Sequence, residues 1–228
     1  MKGYGQFCPI AKASEVLGER WTNLVIRELI AGSETFSDLR KGLPLISPSL
    51  LSSRLKFLEK SGIVCRTEGN NSISYHLTEA GQELKPIIMQ LGVWGHRWVR
   101  THYDEDDLDS SLLMWDIHRN IDVSYFPEDG RTVLYFEFTD INLNMPFWWL
   151  IIANGETDVC LKDPGYEIDL SLASPLKALT QIWMGDLSLM KAVRENIIKV
   201  NGSSALRKSM NGWLGTNYFA DVRAAVKR

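Results

Sequence analysis

Apolar residues recur at helical spacing through the first hundred positions and shift to strand-length runs beyond about residue 130. Ile10, Ala13, Val16 and Leu17 predict a first helix, opened at Cys8-Pro9 and stopped at Gly18. "RWTNLVIRELIAG" predicts a second, with Leu24, Ile26, Leu29 and Ile30 as its apolar positions and Gly32 at its end. "FSDLRKGL" predicts a short third, with Ser37 as N-cap. A fourth starts at Ser47-Pro48, an N-cap followed by the position where a helix best tolerates proline, and ends before Gly62.

On a helical wheel of this fourth segment, Leu51, Leu55 and Leu58 share one face, and Ser49, Ser52, Ser53, Lys56 and Lys60 lie opposite. Leu50, Arg54 and Phe57 occupy a flank, so Arg54 either reaches outward to a phosphate or holds an internal acid. Short hydroxyls can approach a base edge while flexible cations neutralise phosphates, as a recognition helix in a major groove requires. The plain alternative is a solvated outer face.

"IVCRTE" and "SISYHL", separated by "GNN", predict a β-hairpin. Short helices, a tight turn and then a hairpin describe a winged helix-turn-helix, mainly α with the hairpin as wing. Arg66, Asn70, Asn71 and Ser72 would form the wing tip; Ser47 and, on the third helix, Arg40 and Lys41 complete the candidate DNA-contacting set. "LTEAGQELKPIIMQLGVWGHRWVRTHY" predicts a long helix capped by Thr78, which Pro86 bends or restarts. Its stripe of Leu84, Ile87, Ile88, Leu91, Trp94 and Trp98 is covered by a second copy, as two spaced half-sites require, or by the chain's own C-terminal half.

The second half reads as α+β, an antiparallel sheet covered by helices. "LLMWDIHRNI" predicts a helix; "RTVLYFEF", "PFWWLIIA", "TDVCLK" and "YEIDLSL" predict a strand meander; "SPLKALTQIWMGD", "SLMKAVREN" and "SSALRKSMNGWL" predict helices, with a short strand at "IIKVNG". Trp115, Phe136, Phe138, Trp148, Trp149, Trp183, Met184 and Met190 either fill a core or line an apolar ligand cavity.

At 228 residues, two domains are expected. The net charge of −3 hides an asymmetry: Lys and Arg number 13 against 9 Asp and Glu through Tyr103, and 12 against 19 beyond it. The basic half suits a polyanion, and the sign changes at "YDEDDLDSS", which sets the expected domains at 1–103 and 104–228. Three dispersed cysteines argue against a disulfide framework or a zinc site. No apolar run is long enough for a membrane span and no leader-type segment opens the chain, so a cytoplasmic protein with no membrane partner is expected. No carboxylate, histidine or glycine pattern points to catalysis, metal or a cofactor, so no enzyme is expected.

"CPIAKASEVLGERWTNLVIRELIAGSETFSDLRKGLPLISPSLLSSRLKFLEKSGIV" followed by "YHLTEAGQELKPIIMQLGVWG" resembles the HxlR-type winged-helix transcriptional regulators, relatives of MarR. The resemblance implies a homodimer on a near-palindromic operator in double-stranded DNA, with the helix from Ser47 in the major groove. Some members use a cysteine near the position of Cys8 as an oxidant or electrophile sensor; the alternative for Cys8 is a small buried side chain beside Phe7 and Pro9. "MGDLSLMKAV" and "IIKVNGSSALRKSMNGWL", set in a sheet half covered by helices, look like the sterol-carrier-protein-type lipid-binding fold, which implies an apolar tunnel and a hydrophobic small-molecule effector. The expected function is therefore a DNA-binding regulator modulated by an apolar ligand. The rival is a lipid or hydrophobic-metabolite carrier whose winged helix serves protein contacts.

Overall fold

The computed structural model describes residues 3–69, 72–99, 103–104, 107–140, 145–223 and 225. The chain divides into two compact units, Met1–Trp94 and Gly95–Arg228.

In the first unit, α1 (Pro9–Leu17), α2 (Thr22–Ile30), α3 (Phe36–Gly42) and α4 (Pro48–Lys60) precede the hairpin β1 (Val64–Glu68) and β2 (Ile73–Leu77), and α5 (Glu79–Glu83) and α6 (Lys85–Trp94) follow. The core joins Val25, Ile26 and Leu29 of α2 to Leu39 of α3, to Leu51, Leu55 and Leu58 of α4, and to Ile88 of α6. Leu43 and Ile46, in the turn between α3 and α4, are buried in the same cluster and set the crossing of the two helices. The cap of α3 differs from expectation. Thr35, not Ser37, is the N-cap, because Thr35 has the extended backbone a cap needs and its Oγ1 accepts from Asp38 N–H at 3.1 Å. The expected long helix restarts before Pro86, at Lys85, and runs to Trp94; Gly95–Val99, the first residues of the second unit, are wound as a π-helix.

In the second unit, α7 (Ser110–Asn120) leads into β3 (Arg131–Phe138), β4 (Phe147–Ala153), β5 (Glu156–Cys160) and β6 (Leu170–Ser174). Then come α8 (Leu176–Trp183), α9 (Leu189–Arg194), β7 (Lys199–Gly202) and α10 (Ser204–Trp213). Asp109 caps α7, its Oδ1 accepting from Ser111 and Leu112 N–H at 2.8 and 3.0 Å. The sheet order is β5-β4-β3-β6-β7. The expected antiparallel meander holds through β3, β4 and β5 and fails at β6, which lies parallel to β3 with Leu134 opposite Leu170. β6 is central, with alternate residues Leu170, Leu172 and Ser174 buried, so it takes a place with neighbours on both sides rather than the outer edge of β5. Asp169 fastens its entry: its Oδ2 accepts from Val133 N–H at 2.8 Å and its own N–H donates to Val133 O at 3.0 Å. Helices α7 to α10 each contribute buried apolar side chains to one core, shared with Leu134, Phe136, Phe138, Trp148, Leu150 and Leu172. Among the described residues, no helix is long and apolar enough to cross a membrane.

Candidate nucleic-acid interface

The recognition candidate is built from its cap outward. Ser47 Oγ accepts from Leu50 N–H at 3.3 Å and lies 3.2 Å from Ser49 Oγ, while Pro48 fills the first turn. With Leu51, Leu55 and Leu58 buried, the opposite face presents Ser49, Ser53, Lys56 and Lys60 to solvent, and Ser52 is half-buried beside them. Thirteen residues give a rod about 20 Å long, which fits a major groove about 12 Å wide.

The wing is held by backbone pairing to the segment that precedes α3. Tyr75 N–H donates to Glu34 O at 2.8 Å, and Thr35 bridges Ser74, so the segment that leads into α3 lies against β2. Thr78 Oγ1 donates to Gly62 O at 2.6 Å at the base of the hairpin. Between α4 and the hairpin lies an open concavity of about 310 Å³, lined by Ser52, Leu55, Lys56, Glu59, Arg66 and Tyr75. Arg66 pairs with Glu68; that hydrogen bond, aided by Tyr75, raises the guanidinium further above its ordinary value, so its charge is permanent.

The other expected contacts sort by exposure. Arg40 and Ser72 are exposed, and so is Lys41, whose Nζ lies 3.0 Å from Asp38 Oδ1. Asn70 and Asn71 lie outside the described residues. The Arg54 side chain is only 12% exposed and its Nη1 lies 3.2 Å from Oε2 of Glu19, whose side chain is 32% exposed.

One polar cluster in this unit escaped the sequence reading. Glu28 is fully buried on α2; its carboxylate accepts from Arg27 Nη2 at 2.6 Å and from Ser33 Oγ at 3.1 Å. Arg27 Nη2 also donates to Gly42 O at 2.9 Å, which ties α2 to the end of α3. The signal was available: Glu28 stands one turn after Val25 on the stripe that runs inward, where an acid needs a dedicated partner.

The expected dimer stripe divides. Ile88 is buried in the unit's own core and Leu84 packs against it, whereas Ile87, Leu91, Trp94 and Trp98 are exposed. α1 contributes no buried residue; Ile10 is 77% exposed, and Phe7, just before it, fully so. Cys8 is half-buried at the N-cap of α1 and its side chain makes no cap bond. Of the eight expected ligand-contacting residues, five gather at one core and three lie elsewhere. Phe136, Phe138, Trp148 and Trp183 belong to the packed core and Met184 borders it. Trp149 lies on the opposite sheet face, its ring 5.2 Å from Tyr135; Trp115 stacks on His118 at 4.9 Å; Met190 is 67% exposed.

The HxlR-like helix-turn-helix family model matches residues 16–103. YvaP of Bacillus subtilis, an uncharacterized HTH-type transcriptional regulator, is 38% identical over 98 residues, which are 41% of this chain and 91% of that protein. The HTH-type transcriptional regulator YodB of the same organism is 34% identical over 95 residues, 40% of this chain and 85% of YodB. The structure of reduced YodB aligns at 32% identity, covering 40% of this chain and 92% of that one, with a TM-score of 0.36.

Proposed function

Because the chain belongs to the HxlR-like helix-turn-helix family through its N-terminal unit, a family of transcription regulators rather than enzymes, we propose that it is a DNA-binding transcriptional regulator. The observation that carries this reading is the outward face of α4, where Ser49, Ser53, Lys56 and Lys60 stand clear of the core with the β1–β2 wing across an open concavity beside them. α4 enters a major groove and reads base edges through its hydroxyls. Lys56, Lys60, Arg40 and Arg66 neutralise phosphates, and Lys41 joins them by exchanging Asp38 for a phosphate.

The regulator acts as a homodimer. Ile87, Leu91 and Trp94 of α6 follow one another one helical turn apart and are exposed, and α1 with Ile10 adds a second uncovered apolar surface. A two-fold pair of such units matches a near-palindromic operator. The second unit carries an apolar effector between its sheet and helices, a reading supported by a sheet whose helices all gather on one face. Phe136 and Trp183 are packed there, so the guest enters by displacing core side chains and shifts the protein only by its preference for the opened state. Mass spectrometry of a denaturing extract of fresh protein identifies that guest. Oxidant sensing by Cys8 belongs to the same reading; diamide is expected to lower operator binding in wild type and to leave Cys8→Ser unaffected.

The deciding experiment is a fluorescence titration of the protein with DNA from upstream of its own gene, repeated from about 50 to 200 mM salt. Specific binding is expected to weaken steeply with salt, and Lys56→Ala to reduce the slope of log K against log salt by about 0.9. No specific complex at the lowest salt refutes the regulator reading.

A further inference from the structure

Of the three cations on α4, Lys56 and Lys60 are exposed and Arg54 is not. The Arg54 guanidinium sits 5.8 Å from the Phe57 ring centroid, and its Nε is buried without an acceptor among the described residues. Its recorded ion partner is Glu19, 35 positions earlier, in the turn between α1 and α2. With side chains 12% and 32% exposed, the pair is part-buried, and removing Glu19 deprives the Arg54 guanidinium of its carboxylate where water reaches it only in part.

That turn is not slack. Gly18 N–H donates to Ser14 O at 2.9 Å to close α1. Trp21 stands at φ 76°, ψ −18°, a left-handed backbone that a bulky residue keeps only where its surroundings enforce it. Its ring packs against the unit's core, and the Arg20 guanidinium lies 5.5 Å from the ring centroid. Glu19 is thus mounted between two fixed residues. The leucine face of α4 resists lifting of the helix, but a contact on its flank resists rolling.

We propose that Glu19 is a positioning residue for α4: by holding Arg54 it fixes the rotation of the helix about its own axis, and with it the direction in which Ser49, Ser53 and Lys56 point. Arg54 is then a strut and not a phosphate ligand, and the end of α1 is coupled to the recognition surface. The DNA part of this inference rests on the regulator reading; the helix-ordering part does not.

The test is a double-mutant cycle, Glu19→Gln, Arg54→Met and both, read by operator titration across salt and by amide hydrogen exchange on the free protein. Each single variant is expected to weaken operator binding about tenfold, the double no more than either, all with the wild-type salt slope. In free protein, the α4 amides of Glu19→Gln lose protection by about tenfold. Where Arg54→Met does not fold, Arg54→Lys, which keeps the charge and loses the planar fork, is expected to show the same weakening at unchanged slope. The proposal is overturned if Glu19→Gln binds as tightly as wild type or tighter while Arg54→Met flattens the slope by about 0.9, because Arg54 is then a phosphate ligand parked on Glu19. Unchanged α4 protection in Glu19→Gln overturns it as well. If the wild type forms no operator complex, the regulator reading falls and the exchange comparison alone decides the role of Glu19.

Discussion

Gly42→Ala sets two effects of opposite sign against each other. Gly42 is the last residue of α3, and alanine in a helix is favoured over glycine by up to about 1 kcal/mol. Yet a Cβ at this position overlaps the Glu28 carboxylate, which has no exposed surface and is bound by Arg27 and Ser33. Accommodating the methyl group requires that carboxylate to move off its donors. Stripping a buried charge of its partner costs about 3–5 kcal/mol, and the lower end applies because the Arg27 side chain is 35% exposed and follows part of the movement. Subtracting the helix gain leaves a net destabilisation of about 2 kcal/mol. For a unit of this size that lowers the melting midpoint by roughly 10 °C. Calorimetry of the full chain measures it, with the N-terminal transition identified by its shift in Leu51→Ala. A midpoint that stays or rises refutes the clash argument and leaves propensity in control. Adding Glu28→Ala, which removes the obstructing carboxylate, is expected to cost less than the sum of the two single changes.

Burial, with the Asp158 carboxylate second, pushes the Cys160 thiol above its ordinary value of about 9; burial, with Glu137 second, likewise raises the Tyr135 phenol. Both groups are held neutral, so their contribution to stability is complete below their ordinary values and is lost as pH rises through the raised ones. Alkylation of Cys160, followed by peptide mass spectrometry, is expected to reach half its limiting rate above pH 9, and a midpoint at or below 9 contradicts the burial argument. Trp94→Glu places a charge in the exposed stripe and is expected to convert a dimer to monomer in sedimentation velocity, with its melting midpoint within about 3 °C of wild type because Trp94 is 56% exposed. A dimer that survives Trp94→Glu moves the interface elsewhere.

The elements of the first unit were legible because each depends on neighbours along the chain. The leucine spacing of α4 and its Ser47-Pro48 start settle both the burial of one face and the exposure of the other. The choice between Thr35 and Ser37 as a cap was not local. Thr35 is held extended by its bridge to Ser74, a residue 39 positions later, and the hydroxyl that happens to be extended becomes the cap. Arg54 was ambiguous for the same reason: its partner Glu19 comes from another helix end. The strands of the second unit were visible, but the side on which β6 joins depends on a pairing across 36 residues, which alternation within a strand does not encode. Trp148 and Trp149 held a signal that went unused. Adjacent strand residues point to opposite faces, so the two rings were never able to line one cavity.

The parallel seam between β3 and β6 also orders events as the chain is made. β4 and β5 are joined by the two residues Asn154 and Gly155 and β4 follows β3 closely in the chain, but the second edge of β3 stays open until residues 170–174 arrive, and β6 stays open until 199–202 follow. Closing such long loops is slow compared with hairpin formation, so a nascent chain displays the bare β3 edge beside Leu134 and Phe136 for much of its synthesis. That interval is when neighbouring ribosomes' products are able to join edge to edge, and a holdase chaperone present during synthesis is expected to raise the yield of correctly closed sheet.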